Sequence, residues 1–324
     1  MSENRAPRPR RRRPLRTAVG LLVLSAVIGY FAVQRYSNGG AGAPYCTATA
    51  TATAADGQKY EMTPEQAANA ATIAAVGISK GLPDRAVTIA LATAMQESAL
   101  RNLGHGDRDS LGLFQQRPSM GWGTAEQIQD PVYSAGIFYD HLVDVPGYSR
   151  LPLTVAAQKV QRSGYPQAYA KHETDATVLT AAFGESGVLS CSGPAPLKGD
   201  PEKVKAELVR AFGKEALAGS TGSAGAAGGA GAGRTAPGGI PEPEINLRLK
   251  QDGGPGEERR GRAMAHWAVA RSHELGIARV SYRGGGWIGG QARGVWQDKG
   301  GPGKSGDGDP HNSLGDEVRI FIAR

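Results

Sequence analysis

The residues with the plainest chemical potential stand between positions 97 and 122, in the stretch ESALRNLGHGDRDSLGLFQQRPSMGW. Glu97 closes an alanine-rich run in which Val87, Ala90, Leu91 and Ala94 recur at helical spacing. The next positions on that apolar stripe are Glu97 and Ser98. A carboxyl there is disfavoured as an anion by desolvation, and again by the negative end of the helix dipole. Both effects keep a proton available near neutral pH, which is what a general acid needs to protonate a leaving oxygen. A competing reading leaves Glu97 in solvent at a frayed helix end, paired with Arg101. Asp107 and Asp109 offer a second carboxylate, or else cap backbone N–H groups in a Gly-rich loop.

Glu97-Ser98 followed by Gly112-Leu113-Phe114-Gln115 resembles the core of the lysozyme-like superfamily, in its lytic transglycosylase and goose-type lysozyme branch. Gly106-Asp107-Arg108 is similar to the Gly-Asp-Arg of the goose-type members, and Phe114 stands where methionine is common. The likeness covers about residues 61–190. It implies a mainly α lysozyme-like domain that cleaves the β-1,4 glycosidic bond of peptidoglycan, with Glu97 and Asp107 as catalytic carboxyls. A second carboxylate ~6.5–9.5 Å from the acid would hold water for inverting hydrolysis. Without one, the sugar's own C6 hydroxyl attacks and leaves a 1,6-anhydro product. Ser98, Gln115, Gln116, Trp122 and Tyr169 then become substrate-binding candidates: amides for N-acetyl groups and hydroxyls, an indole to stack on a ring. Tyr169, in Ala168-Tyr169-Ala170, matches a late tyrosine motif of the family, without its Asn and Gly. A further acid of some goose-type members is replaced by Arg117. No cofactor or metal is implied.

The elements that must position these groups are helical. Thr63-Pro64-Glu65-Gln66 predicts a helix start, and that helix runs to about Lys80. Pro83 opens a second helix to about Leu100, Thr124 with Gln127 a short turn, and Asp130-Pro131 a helix to about Val143. Thr154 caps another, and Pro166 begins one to about Phe183. No alternation in residues 61–191 is long enough to predict a strand. Asp200-Pro201 starts a charged helix over 200–218, and residues 219–243 form a Gly/Ala linker. Residues 244–324 read as a small α+β module, with a helix over 258–275 and strands over 277–282 and 317–323.

The 324 residues suit one or two domains at ~100–200 residues each. The net charge of +7 looks like a nucleic-acid signal until it is located. Residues 1–16 hold seven arginines against Glu3 alone, so the rest of the chain is near neutral and nucleic acid is not an expected partner. Residues 17–34 carry no charge, near the lower limit for spanning a ~30 Å hydrocarbon core. The basic flank predicts a single-pass plasma-membrane helix with a cytoplasmic N-terminus and the bulk outside; a cleaved signal peptide is the alternative. Residues 35–60, rich in Gly, Ala and Thr, read as a tether. Cys46 and Cys191, the two cysteines, lie outside by this topology and flank one segment. They either bridge its ends or remain unpaired.

The last module is similar to one attached to secreted bacterial wall proteins, whose final strand carries a histidine-rich run. Residues 314–319 lack those histidines, so a binding or packing role is expected, with its partner undefined. Asp307, Asp309 and His311 read as a flexible loop rather than a metal site, and His266 and His273 as helix-surface residues. Two function classes follow: a membrane-anchored enzyme acting on glycan strands, or a wall-binding scaffold that keeps the cleft and works by tethering.

Overall fold

Thr63 starts the first long helix as the sequence predicts. Its hydroxyl accepts from the Gln66 N–H while the Gln66 side chain accepts from the Thr63 N–H, and helix α1 runs over Pro64–Ser79. The helix is alanine-rich and buried on nearly every side, as befits a helix apolar all round. Helix α2, Asp84–Ser98, follows from Pro83. Ala125–Ile128 (α3) has its own capping box from Thr124 and Gln127, and Asp130 caps Pro131–Val143 (α4). Small side chains let α4 approach α1 closely: the Tyr139 hydroxyl donates to Ile73 O at 3.0 Å, and a Cβ on Gly77 would lie 2.6 Å from the Tyr139 hydroxyl oxygen. Helix α5 covers Leu153–Gln161, with Pro152 rather than Thr154 at its cap. Helix α6 covers Glu173–Phe183, preceded by a 3₁₀ turn at Ala170–His172.

The computed structural model describes residues 43–51, 57–165, 167–218, 220–223, 242–249, 255–291, 294–298 and 317–324. The basic tail, the span at 17–34, Pro166, most of the Gly/Ala linker, and Asp307, Asp309 and His311 lie outside them. Among the described residues, Pro44–Arg324 is a mixed unit of nine helices and two small antiparallel sheets. No helix among them is long and apolar enough to cross a membrane, and no group of three His, Cys, Asp or Glu could hold a metal ion.

Two expectations are corrected by the first sheet. The stretch 35–60, read as a tether, contains strand β1, Tyr45–Ala50, and the start of β2, Lys59–Met62; the segment expected to lack strands contains the rest of β2 and β3, Gly187–Ser192. Their order is β2-β1-β3. In β1 the threonines alternate with Cys46, Ala48 and Ala50, each 0% exposed. Cys46 lies opposite Cys191 in the β1/β3 ladder, and the two form a disulfide.

The charged segment forms helix α7, Pro201–Phe212, which turns Val204, Leu208, Ala211 and Phe212 inward. The predicted helix 258–275 is two: α8, Pro255–Ala270, and α9, Ser272–Leu275, separated at Arg271. Strands β4 to β9 follow, at Thr221–Ser223, Glu244–Arg248, Ile277–Tyr282, Gly285–Ile288, Gln297–Asp298 and Glu317–Ile322. They form a sheet of order β4-β5-β9-β6-β7-β8. Helix α8 covers this sheet on one side and packs against α1 on the other. Helix α1 is therefore the axis of the unit, contacted by α2, α4, α7 and α8. His266, expected on the helix surface, is 0% exposed on α8, edge-on to Trp296 at 4.8 Å between ring centroids. The correction follows from α8 having no free face from Ala263 to Ala270, where every residue is buried between the sheet and the helices. His273 is exposed as expected.

Candidate active site

Helix α2 carries the acid to its last turn and stops there. Ala99 and Leu100 adopt left-handed φ values of 51° and 59°, which ends the helix one residue after Ser98. Two side chains of α1 hold this strained exit. Gln66 Nε2 donates to Ala99 O at 2.9 Å, and Asn69 Nδ2 donates to Leu100 O at 2.8 Å. The left-handed residues are non-glycine, a costly choice that packing of the surroundings must offset.

Glu97 is half-buried, not frayed into solvent. Its Oε1 accepts from the Tyr169 hydroxyl at 2.7 Å. Burial pushes the carboxyl above the ordinary glutamate range, and hydrogen bonds from Tyr169 and Gln161 pull it the other way without cancelling the effect. The position at the helix C-terminus acts in the same direction as burial. Tyr169 itself is 0% exposed. Burial, with the Glu97 charge second, holds its phenol far above the usual range, so it remains a neutral donor. His172, beside it on the 3₁₀ turn, pairs with Gln96 at 3.2 Å, and burial lowers its pKa.

Ser98 fastens the following turn to the acid's helix. Its Oγ is within hydrogen-bond distance of Ala94 O and Leu113 O, at 3.0 and 2.8 Å. Leu113 and Phe114 are buried, and Phe114 stacks on Phe138 at 4.6 Å. The loop is closed by bridges between Leu103 and Gly112 and between Leu111 and Gln116. Gly112 has φ 75°, and a Cβ there would sit 2.6 Å from Ile128 O, so the turn requires glycine.

The remaining sequence candidates fall into two groups. Gln115, left-handed at φ 48°, spends its amide inside the loop, donating to His105 O at 3.5 Å and Gly112 O at 3.3 Å. A side chain at Gly106 would collide with that amide. Gln116 is 1% exposed and donates Nε2 to Ser134 O at 3.1 Å, which pins the loop to α4. Trp122 is half-buried against His141, with ring centroids 4.5 Å apart. Asp107 stands exposed in the loop. The acid that the loop organises is Asp109: Arg117 Nε donates to it at 2.7 Å and the Ser119 N–H at 2.9 Å, which holds its carboxyl far below the usual range. Arg117, where a further acid is found in some goose-type proteins, is thus the partner of Asp109 here.

Gln161 is the site residue that sequence reasoning misses. It comes from the end of α5, donates Nε2 to Phe114 O at 2.7 Å and hydrogen-bonds the Glu97 carboxyl. Its only local signal is a polar residue at the end of an apolar helix face, which is common on any surface helix. The glutamate, the tyrosine and the amide converge from three separate segments. No protein-family model matches the sequence, and no curated protein matches it either.

Proposed function

We propose that this protein is a membrane-anchored, extracytoplasmic enzyme that cleaves the β-1,4 glycosidic bonds of peptidoglycan strands, with Glu97 as general acid. The observation that carries this reading is the half-buried Glu97 carboxyl, raised by burial and fixed at Oε1 by the buried Tyr169. With Oε1 occupied as an acceptor, the proton resides on Oε2. It passes from there to the bridging oxygen as the C1–O bond breaks and positive charge develops on the sugar ring. If Asp107 orients a water on the opposite face of the sugar, Asp107 takes that water's proton as it attacks, and the reaction is inverting hydrolysis. Otherwise Glu97, now anionic, accepts the proton of the C6 hydroxyl of the same sugar as that oxygen attacks C1. The plasma-membrane location rests on residues 17–34 and their arginine-rich flank, and the Cys46–Cys191 disulfide suits the oxidising side of a membrane.

Incubation of Pro44–Arg324 with purified peptidoglycan tests the reading. Soluble muropeptides should appear, and Glu97→Gln should release roughly 10²–10⁴-fold fewer per unit time. Equal release by both proteins, or none by either, removes the enzyme reading. Product masses lighter by one water than hydrolysis products identify the intramolecular route.

A wall-binding scaffold is the second reading. It is favoured by the exposure of Asp107 and by the internal use of the Gln115 and Gln116 amides. On that reading the protein co-sediments with peptidoglycan, releases nothing, and Glu97→Gln binds as the parent does.

A further inference from the structure

The C-terminal end of α5 touches both the acid and the turn beside it. The helix closes at Arg162 in a left-handed conformation, φ 51°. Gln158 and Ser163 lock that end with two hydrogen bonds: Gln158 Nε2 to Ser163 O at 2.8 Å, and Ser163 Oγ to Gln158 Oε1 at 3.0 Å. Gln161, two residues earlier, donates to Phe114 O and reaches the Glu97 carboxyl. Ser98, next to the acid, holds the adjacent carbonyl, Leu113 O. Two successive carbonyls of the turn are therefore captured, one by the acid's own helix and one by α5.

We propose that Gln161 is a positioning residue that locks the general acid and the Leu113-Phe114 turn to each other, so that a sugar seated on the turn meets the acid at a fixed height. This rests on the reading of Glu97 as the acid. An amide is the group this place requires. It donates to Phe114 O while acting on the neighbouring carboxyl as a donor, and it adds no charge beside a group that must change charge in the reaction. A lysine would hold Glu97 ionised, and a second carboxylate would repel it and lose the bond to Phe114 O. Gln161 is not the group that gives the proton to the sugar. Its effect passes through Glu97.

A purely structural glutamine would change stability and leave the acid's titration alone, so the test reads that titration directly. The carboxyl resonance of Glu97 is followed by NMR in ¹³C-glutamate-labelled Pro44–Arg324, assigned by its loss in Glu97→Gln. Removing a donor to the carboxylate in Gln161→Leu should move the midpoint to higher pH. The alkaline limb of glycan cleavage should move with it. On soluble glycan oligomers kcat should fall by up to about 100-fold with little change in KM. Gln161→Asn, whose amide is one methylene short, should shift in the same direction and serves if the leucine variant fails to fold. An unchanged midpoint in the folded variants overturns the proposal, whatever happens to the rate. If the parent protein cleaves no glycan yet the midpoint moves, the coupling stands and the assignment of Glu97 to glycan cleavage is what fails.

Discussion

Glu97 is held between two opposed influences, and their balance sets the pH range of the proposed reaction. Burial favours the acid form, while Tyr169 and Gln161 favour the anion. An acid catalyst works when protonated, so activity should decline as pH rises through the raised Glu97 pKa. Tyr169→Phe removes a donor to the carboxylate, so that decline should move to higher pH. The variant should lose about 1 kcal/mol of stability, the ordinary contribution of one hydrogen bond, in urea titrations. The sign for stability is the reverse of that for a salt-bridged acid. A carboxyl whose folded pKa is raised binds more protons in the native state, so stability declines as pH rises from the ordinary glutamate range through the folded value. Glu97→Gln should therefore be more stable than the parent at pH 7, with the difference vanishing below the glutamate range. Thermal melts at the two pH values check this. Glu97 was legible because it interrupts an apolar stripe of its own helix. Gln161 was not, because its partner Phe114 lies 47 residues away and no local spacing encodes the pair. Tyr169, 72 residues from Glu97, was legible through the family likeness alone.

At the level of elements, the helices were readable from their punctuation. Thr63-Gln66, Thr124-Gln127 and Asp130-Pro131 each begin a helix where the side-chain chemistry says they must. The strands of the first sheet were not. Alanine alternating with threonine gives little hydrophobic contrast, so β1 looks like a linker until its alanines are seen to be buried. What identifies it is the partner strand β3, far away in the chain, and the disulfide that joins them. Closing a loop with a sequence separation of 145 removes enough unfolded-chain entropy to stabilise by about 5 kcal/mol in the chain-entropy model. Replacing both cysteines by serine should cost a large part of that, read as a lower urea midpoint that no longer responds to reductant. Helix α8 carries a different vulnerability. Burial holds His266 down to about 3, against an ordinary value near 6.5. A depressed histidine binds fewer protons folded than unfolded between those values, so stability should fall as pH drops from about 6.5 toward 3, by up to ~1.4 kcal/mol per pH unit. His266→Phe, if it packs against Trp296, should flatten that slope in denaturation curves collected across the window.

At the level of the whole unit, α1 is shared property. The acid's helix lies on it, and so do α4, α7 and α8. Sequence composition suggested a helical part and a separate α+β module joined by a linker, because the Gly/Ala run at 219–243 breaks the chain's periodicity. Composition cannot report that α8 returns to lie on α1, since that contact joins segments far apart in the chain. A fragment ending at residue 218 would expose the buried face of α1. It should bind a hydrophobic dye and lose its cooperative melt, whereas Pro44–Arg324 should melt in one transition. The first strand adds a mechanical consequence. Tension applied to the chain ahead of Pro44 meets a covalent crosslink at Cys46, two residues later, which passes the load to Cys191 in β3. The hydrogen bonds of the sheet would then be spared from bearing the force alone, and a single-molecule pull should need a far harder tug before rupture when the sulfurs are joined than after they are reduced.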